Sequence, residues 1–164
     1  MKINPIFSSF FGKPENYSKI DNYVSRSAQP VKEDFAWLKE QGVTDVINFR
    51  YMTEPGIDFD EKTVVEELGM KYHRIPSRTS KPTEENIRKF VSTVDEIIQN
   101  GGKPHIHCKA GADRTGMYSF IYKTIRGIGT EAENEAEWLK MGHHKDFFPD
   151  LIQWTKDFMK KFRR

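Results

Sequence analysis

Four short runs with strand character, NYVSRSAQP, VTDVINFR, MKYHRIP and KPHIHC, alternate along the chain with segments patterned for helices, and few architectures accept that order. Strands alternating with helices through short connections build a mostly parallel sheet covered by helices. The expected fold is therefore α/β, with a central, mostly parallel sheet of four to five strands flanked by helices. The 164 residues suffice for one real core and are expected to form a single domain over 1–164, with 1–19 as a loosely packed N-terminal extension. In such sheets ligands bind beyond the carboxyl ends of the strands.

The helices carry their own signals. Pro30 suits a first helical position, Val31, Phe35 and Leu38 would share a face, and Gly42 would stop that helix. EKTVVEELG predicts a short helix closed by Gly69, after a loop marked by Pro55 and Gly56. Thr83, with Glu84 and Glu85 in the first turn, starts a helix whose apolar face is Ile87, Phe90, Val91, Val94 and Ile98. RTGMYSFIYKTIRG is apolar nearly all round, as a buried central helix would be. Thr130 and Glu133 fit a capping box, and Leu151, Phe158 and Phe162 line a last helix.

Charge and cysteine usage narrow the partners. The 26 basic and 24 acidic residues are interspersed, so no field draws nucleic acid. No run of about 18 apolar residues offers a transmembrane segment. A single cysteine allows neither an internal disulfide nor a cysteine-rich zinc site, and suits a reducing compartment. The start MKINPIFSSFFGKPENYS lacks a cleavable leader pattern, so a cytoplasmic monomer is expected.

That cysteine lies in HIHCKAGADRTGMYSF, residues 105–120, between a strand and a helix. A helix N-terminus offers unpaired N–H groups and partial positive charge, and Gly111 lets successive N–H groups turn inward around an anion. Arg114 adds a planar fork of donors for two phosphoryl oxygens. The same potential stabilises a thiolate at Cys108 and makes it a nucleophile below phosphorus. This chemistry calls for no metal and no cofactor.

HCKAGADRTG resembles the active-site loop of the cysteine-dependent protein tyrosine and dual-specificity phosphatases, which follow HCxxGxxR[ST]; His107, Cys108, Gly111, Arg114 and Thr115 all match. YVSRSAQP, GVTDVINFR and EWLKMGHH resemble flanking segments of compact, bacterial-type members, so the likeness spans roughly 20–155. It implies attack by Cys108 to give a cysteinyl-phosphate that water hydrolyses. Arg114 and the loop of Lys109, Ala110, Gly111 and Ala112 would bind the phosphoryl oxygens, Thr115 would hydrogen-bond the sulfur, and His107 would support loop and thiolate.

The leaving oxygen needs a proton, and most relatives supply it from an aspartate on an upstream loop. Residues 69–83 hold no carboxylate. Asp113, at a position where some relatives carry an acid, is one candidate; its other reading is a cap for the helix begun by Arg114. Glu54, Asp58, Asp60, Glu84 and Glu85 remain alternatives. Arg50, Arg74, Arg78, Lys81 and Lys109 would give a basic mouth, with Arg78 touching substrate, so phosphorylated proteins and inositol phosphates or phosphoinositides both stay open. A noncatalytic phosphate-binding module would need the loop but not Cys108. His143 and His144, if helical, would point about 100° apart and serve structure; Trp138 and Trp154 read as core.

Overall fold

A computed structural model describes residues 12–164. Five strands, β1 (Ser18–Lys19), β2 (Ser25–Ser27), β3 (Asp45–Asn48), β4 (Lys71–Arg74) and β5 (Pro104–His107), form one sheet in the order β1-β2-β5-β3-β4. Only β1 runs antiparallel to its neighbour. The helices among the described residues are α1 (Asp34–Glu40), α2 (Glu61–Glu67), α3 (Glu84–Gln99), α4 (Arg114–Arg126), α5 (Glu131–Lys140) and α6 (Leu151–Lys161). The mixed α/β layering matches the expectation, and none of these helices is long and apolar enough to cross a membrane.

Successive side chains of β3 point to opposite faces, and the two faces carry separate cores. Val46 packs with Phe35 and Leu38 of α1 and Val65 of α2. Ile47 packs with Ile87 and Phe90 of α3 and Met117, Tyr118 and Ile121 of α4. Burying each such side chain completely contributes about 1.5–3 kcal/mol, which makes the α4 face the main anchor of the sheet. The α3 stripe is completed by buried Ile97 rather than by Ile98, which is half-buried. Thr83, Asp60 and Thr130 cap their helices by accepting the N–H three residues on, and Thr130 and Glu133 complete the capping box.

Two local expectations change. The first helix starts at Asp34, not Pro30, because the Asp34 carboxylate turns back to accept the Val31 N–H at 2.8 Å. Val31 is thereby left outside the helical face, 57% exposed. The loosely packed extension is also not borne out over 12–19: Ser18 and Lys19 pair with β2, Tyr17 meets Trp37 edge-on at 5.0 Å, and Asn16 donates to Met141 O at 2.9 Å. The remainder of the predicted extension, residues 1–11, lies outside the described residues.

Candidate active site

Cys108 follows β5 directly, at the carboxyl end of the sheet, and is buried. The chain then turns through 109–113 into Arg114, the first residue of α4. Gly111 has φ +70°, and a Cβ there would collide with the backbone of Ser27 and Ala28. Glycine is thus required twice, for its conformation and for the close approach to the end of β2.

Donors from four parts of the chain hold the loop by its carbonyls. Arg26 Nη2 donates to Gly111 O at 2.7 Å, Trp138 Nε1 to Ala112 O at 3.0 Å, the Gln29 N–H to Lys109 O at 3.0 Å, and Asn16 Nδ2 to Gly111 O at 3.3 Å. With the carbonyls engaged outward, the N–H groups from Lys109 to Asp113 find no acceptor among the described residues. This arrangement is a nest for an anion. Trp138 packs so closely on α4 that a Cβ at Gly116 would strike its indole ring.

Arg114 is fixed by a carboxylate from a distant loop. Its Nη1 and Nη2 donate to Glu54 Oε2 and Oε1 at 2.7 and 2.8 Å, and Nη1 also approaches Ser77 O at 3.3 Å and Phe49 O at 3.4 Å. Burial works to raise the Glu54 pKa, yet hydrogen bonds from Arg114 and the Tyr51 N–H, with the charges of Arg114 and Arg50, pull it down to about 2. Burial likewise opposes the Arg114 charge, but Glu54 and the nearby Cys108 raise its pKa. Glu54 is therefore an orienting anion and not a proton donor. Of the other alternative acids, Asp60 caps α2, Glu84 pairs with Arg88 at 2.8 Å and Glu85 faces solvent, while Asp58 lines a cavity shared with Lys109 of the loop.

His107 is fully buried, with Nε2 2.8 Å from Glu61 Oε2 and Nδ1 3.2 Å from Cys108 O. Burial would raise the Glu61 pKa, but the charge and hydrogen bond of His107, with further bonds from Gln29 and Tyr72, hold it below the ordinary range. Gln29 Nε2 donates to Glu61 Oε1 at 2.6 Å, and Arg50 Nη1 donates to Gln29 Oε1 at 3.0 Å. A continuous network thus runs from His107 through Glu61 and Gln29 to Arg50, which lies 3.4 Å from Glu54.

That network corrects the expected basic mouth. Arg50 is 1% exposed and donates to Pro55 O and Gln29, while Arg74 donates to Arg50 O. Both guanidiniums are thus engaged by acceptors within the protein. Lys109, Arg78 and Lys81 are exposed, as is Ala110; Ala112 is buried.

Asp113 is at the helix start but makes no capping hydrogen bond with its side chain. Its carboxylate turns instead to the segment after α5. The His144 N–H donates to Oδ1 at 2.8 Å, His144 Nδ1 lies 2.7 Å from Oδ2, and His143 Nδ1 approaches Oδ1 to 2.8 Å out of hydrogen-bond line. The two histidines converge because α5 ends at Lys140 and Gly142, with φ +103°, turns the chain. The expectation that they diverge on a helix is overturned. Thr115 Oγ1 is fully buried with no partner among the described residues, so the bond to sulfur implied by resemblance is not formed in this structure.

The structure gathers Cys108, Arg114, His107, Gly111 and Asp113 around one loop, as expected from sequence, and adds residues that sequence reasoning missed: Glu54 as the partner of Arg114, Glu61, Arg26, Gln29 and Trp138. The available signal was Arg26 and Arg50 in or beside strands otherwise destined for burial, since buried guanidiniums demand acceptors.

Comparison with known proteins agrees with this geometry. The family described as "Polymorphic toxin system, DSP-PTPase phosphatase" matches residues 22–125. The tyrosine-protein phosphatase CDC14 of Candida albicans is 51% identical over 40% of this chain, which spans only 15% of that protein's length. Among solved structures, a DUF442 protein from Shewanella putrefaciens CN-32 superposes with a TM-score of 0.80 over the whole of both chains at 21% identity. P. aeruginosa TpbA in complex with pTyr gives 0.69 over 99% of this chain and 96% of that one, at 15% identity. The core catalytic domain of the PP-IP phosphatase SIW14 from S. cerevisiae gives 0.67 over 92% and 86%, at 20% identity. With the matched family covering β2–β5, the loop and α4 but for its last residue, the chain belongs to the DSP-PTPase phosphatases and is a cysteine-dependent phosphatase of the compact dual-specificity-like type.

Proposed function

We propose that the chain hydrolyses phosphomonoesters on phosphorylated proteins through a cysteinyl-phosphate at Cys108. The observation that carries this reading is Cys108 beneath a loop of free N–H groups, beside an Arg114 held flat by the bidentate Glu54. In the first step Cys108 Sγ attacks phosphorus, the P–O bond to the leaving group breaks, and the departing oxygen takes a proton. The N–H groups of Lys109, Ala110, Gly111 and Ala112 with Arg114 match the charge on the equatorial oxygens. In the second step water attacks phosphorus, the S–P bond breaks, and the thiolate and inorganic phosphate are regenerated. Thr115 Oγ1, buried beside this loop without a partner among the described residues, is available to donate to the departing sulfur. The first step needs a proton source and the second an acceptor, and Asp113, directly before Arg114, marks the part of the loop where both are sought.

Protein substrates are favoured once Arg50 and Arg74 are withdrawn into their own hydrogen bonds: Tyr51, Met52 and Phe147 are exposed apolar residues, and Arg78, Lys81 and Lys109 are exposed cations. TpbA was captured with pTyr. A second reading, inositol phosphates, has support of its own in a cavity of about 650 Å³ between Lys32 and Lys109, where a second phosphate could be held, and in the likeness to SIW14.

The test is release of phosphate from a chromogenic aryl phosphate in EDTA and reductant, wild type beside Cys108→Ser. Metal-independent turnover that disappears in the variant is expected; turnover retained by Cys108→Ser would end the cysteinyl-phosphate reading. Relative rates on a phosphotyrosine peptide and on inositol phosphates then decide substrate, with the peptide expected to be faster.

A further inference from the structure

The geometry points to His144 as the group that delivers the leaving-group proton, with Asp113 as the carboxylate that orients it and His143 as a positioning residue behind both. The inference rests on the phosphatase reading above and refines its acid.

Neither oxygen of Asp113 is left unclaimed. Oδ1 accepts the His144 N–H at 2.8 Å and has His143 Nδ1 at 2.8 Å, while Oδ2 faces His144 Nδ1 at 2.7 Å. A carboxyl so enclosed would have to give up a partner before passing its proton to substrate. His144 is differently placed. Its side chain is 47% exposed, its Nδ1 is tied to Asp113, and its Nε2 has no partner among the described residues. A carboxylate that holds Nδ1–H fixes the tautomer and ring direction, leaving Nε2–H as the donor. Asp113 immediately precedes Arg114, so the dyad lies at the rim of the phosphate loop rather than on a remote surface.

The surroundings are built to keep His144 in place. His143 is buried and packs at a tilt against Trp138, 5.3 Å between ring centroids, and Trp138 in turn holds Ala112 O. Phe147 meets the His144 ring edge-on at 6.3 Å. The titratable groups facing His144 are Asp113 and His143, with Lys145 and Asp146 exposed on its own turn. In the reaction the Nε2–H bond breaks as the leaving oxygen gains the proton, and the neutral Nε2 then takes a proton from the water that attacks the cysteinyl-phosphate. The cycle therefore closes without another reactant.

Leaving-group dependence tests this. Wild type, His144→Gln, Asp113→Asn and His143→Gln would be compared on p-nitrophenyl phosphate, whose leaving group needs little protonation, and on phenyl or alkyl phosphate, whose leaving group needs much. General acid catalysis contributes about 10²–10⁴-fold, so His144→Gln should cost about 100-fold or more on the poor leaving group and less than about 10-fold on the good one. The fall in kcat/KM on the alkaline side of the wild-type profile should vanish with it, because an imidazolium donor is lost as pH rises. Asp113→Asn should act in the same direction but more weakly. Orthovanadate affinity and melting temperature monitor loop integrity in each variant. Equal losses on both substrates, or an alkaline limb retained in His144→Gln but lost in Asp113→Asn, would overturn the assignment and return the proton to Asp113. Turnover surviving in Cys108→Ser would sink the cysteinyl-phosphate reading alone, whereas no turnover of any ester by wild type would sink both.

Discussion

Arg114 illustrates how a residue's role depends on its partner. A guanidinium beside a thiolate could swing away from phosphate; the fork-to-fork contact with Glu54 at 2.7 and 2.8 Å fixes its plane instead. Charge-assisted hydrogen bonds of this kind contribute about 1.5–3 kcal/mol, so Glu54→Gln should lower kcat/KM by roughly 10- to 150-fold. Steady-state kinetics on an aryl phosphate check this, and the loss should appear with good and poor leaving groups alike, unlike that of His144→Gln. The same carboxylate affects acid stability. Its folded pKa of about 2 lies below its ordinary 4.5, so its stabilisation is present above pH 4.5 and is lost as pH falls toward 2. Glu54→Gln should flatten that part of the stability profile.

At the level of elements, β2 acts through its edge with the phosphate loop. Gly111 presses on Ser27 and Ala28, and Arg26 reaches its carbonyl. Gly111→Ala would put a side chain at positive φ and against backbone that cannot yield, at a cost of at least about 1–2 kcal/mol. A melting temperature lower by about 2–8 °C is expected, with orthovanadate binding weakened far more than stability because the N–H nest itself is displaced. Thermal melts beside inhibition by vanadate separate the two effects. These elements were legible in the sequence to different degrees. The strand and helix periods of β2–β5 and α1–α6 are local signals, repeated often enough to read. Two-residue β1 is too short to show a period, and the start of α1 depended on one carboxylate turning back at Asp34. The loop motif gave Cys108, Gly111 and Arg114, but Glu54 lies 60 positions from Arg114, and nothing local marks such a pair. His143 and His144 were misjudged because their convergence depends on where α5 ends.

Across the whole molecule, polar groups are buried densely at one end of the sheet, and this sets the response to pH. His105 sits in β5 between Ser25 Oγ at 2.8 Å and Ser27 Oγ at 2.7 Å, and burial, with neighbouring His107, holds its pKa well below 6.5. It stays neutral in the folded state while the unfolded chain gains the proton, so stability should decline as pH drops below about 6.5, before Glu54 contributes. Urea unfolding between pH 7 and 5 should show this slope, and His105→Gln should reduce it. The opposite end of the sheet is different in kind. Gly42, Gly69 and Gly101 follow α1, α2 and α3 there, each at positive φ and with no collision awaiting a Cβ, and no group of the catalytic network comes from those turns. The molecule is thus divided into a pole shaped around an anion and a pole shaped around its own packing, where Gly102 presses on Thr44 and Ile97 and buried Asp45 pairs with His73. An engineer grafting a tag, an extra loop or a second module has room at the Gly42, Gly69 and Gly101 turns, far in the chain's architecture from the phosphate loop.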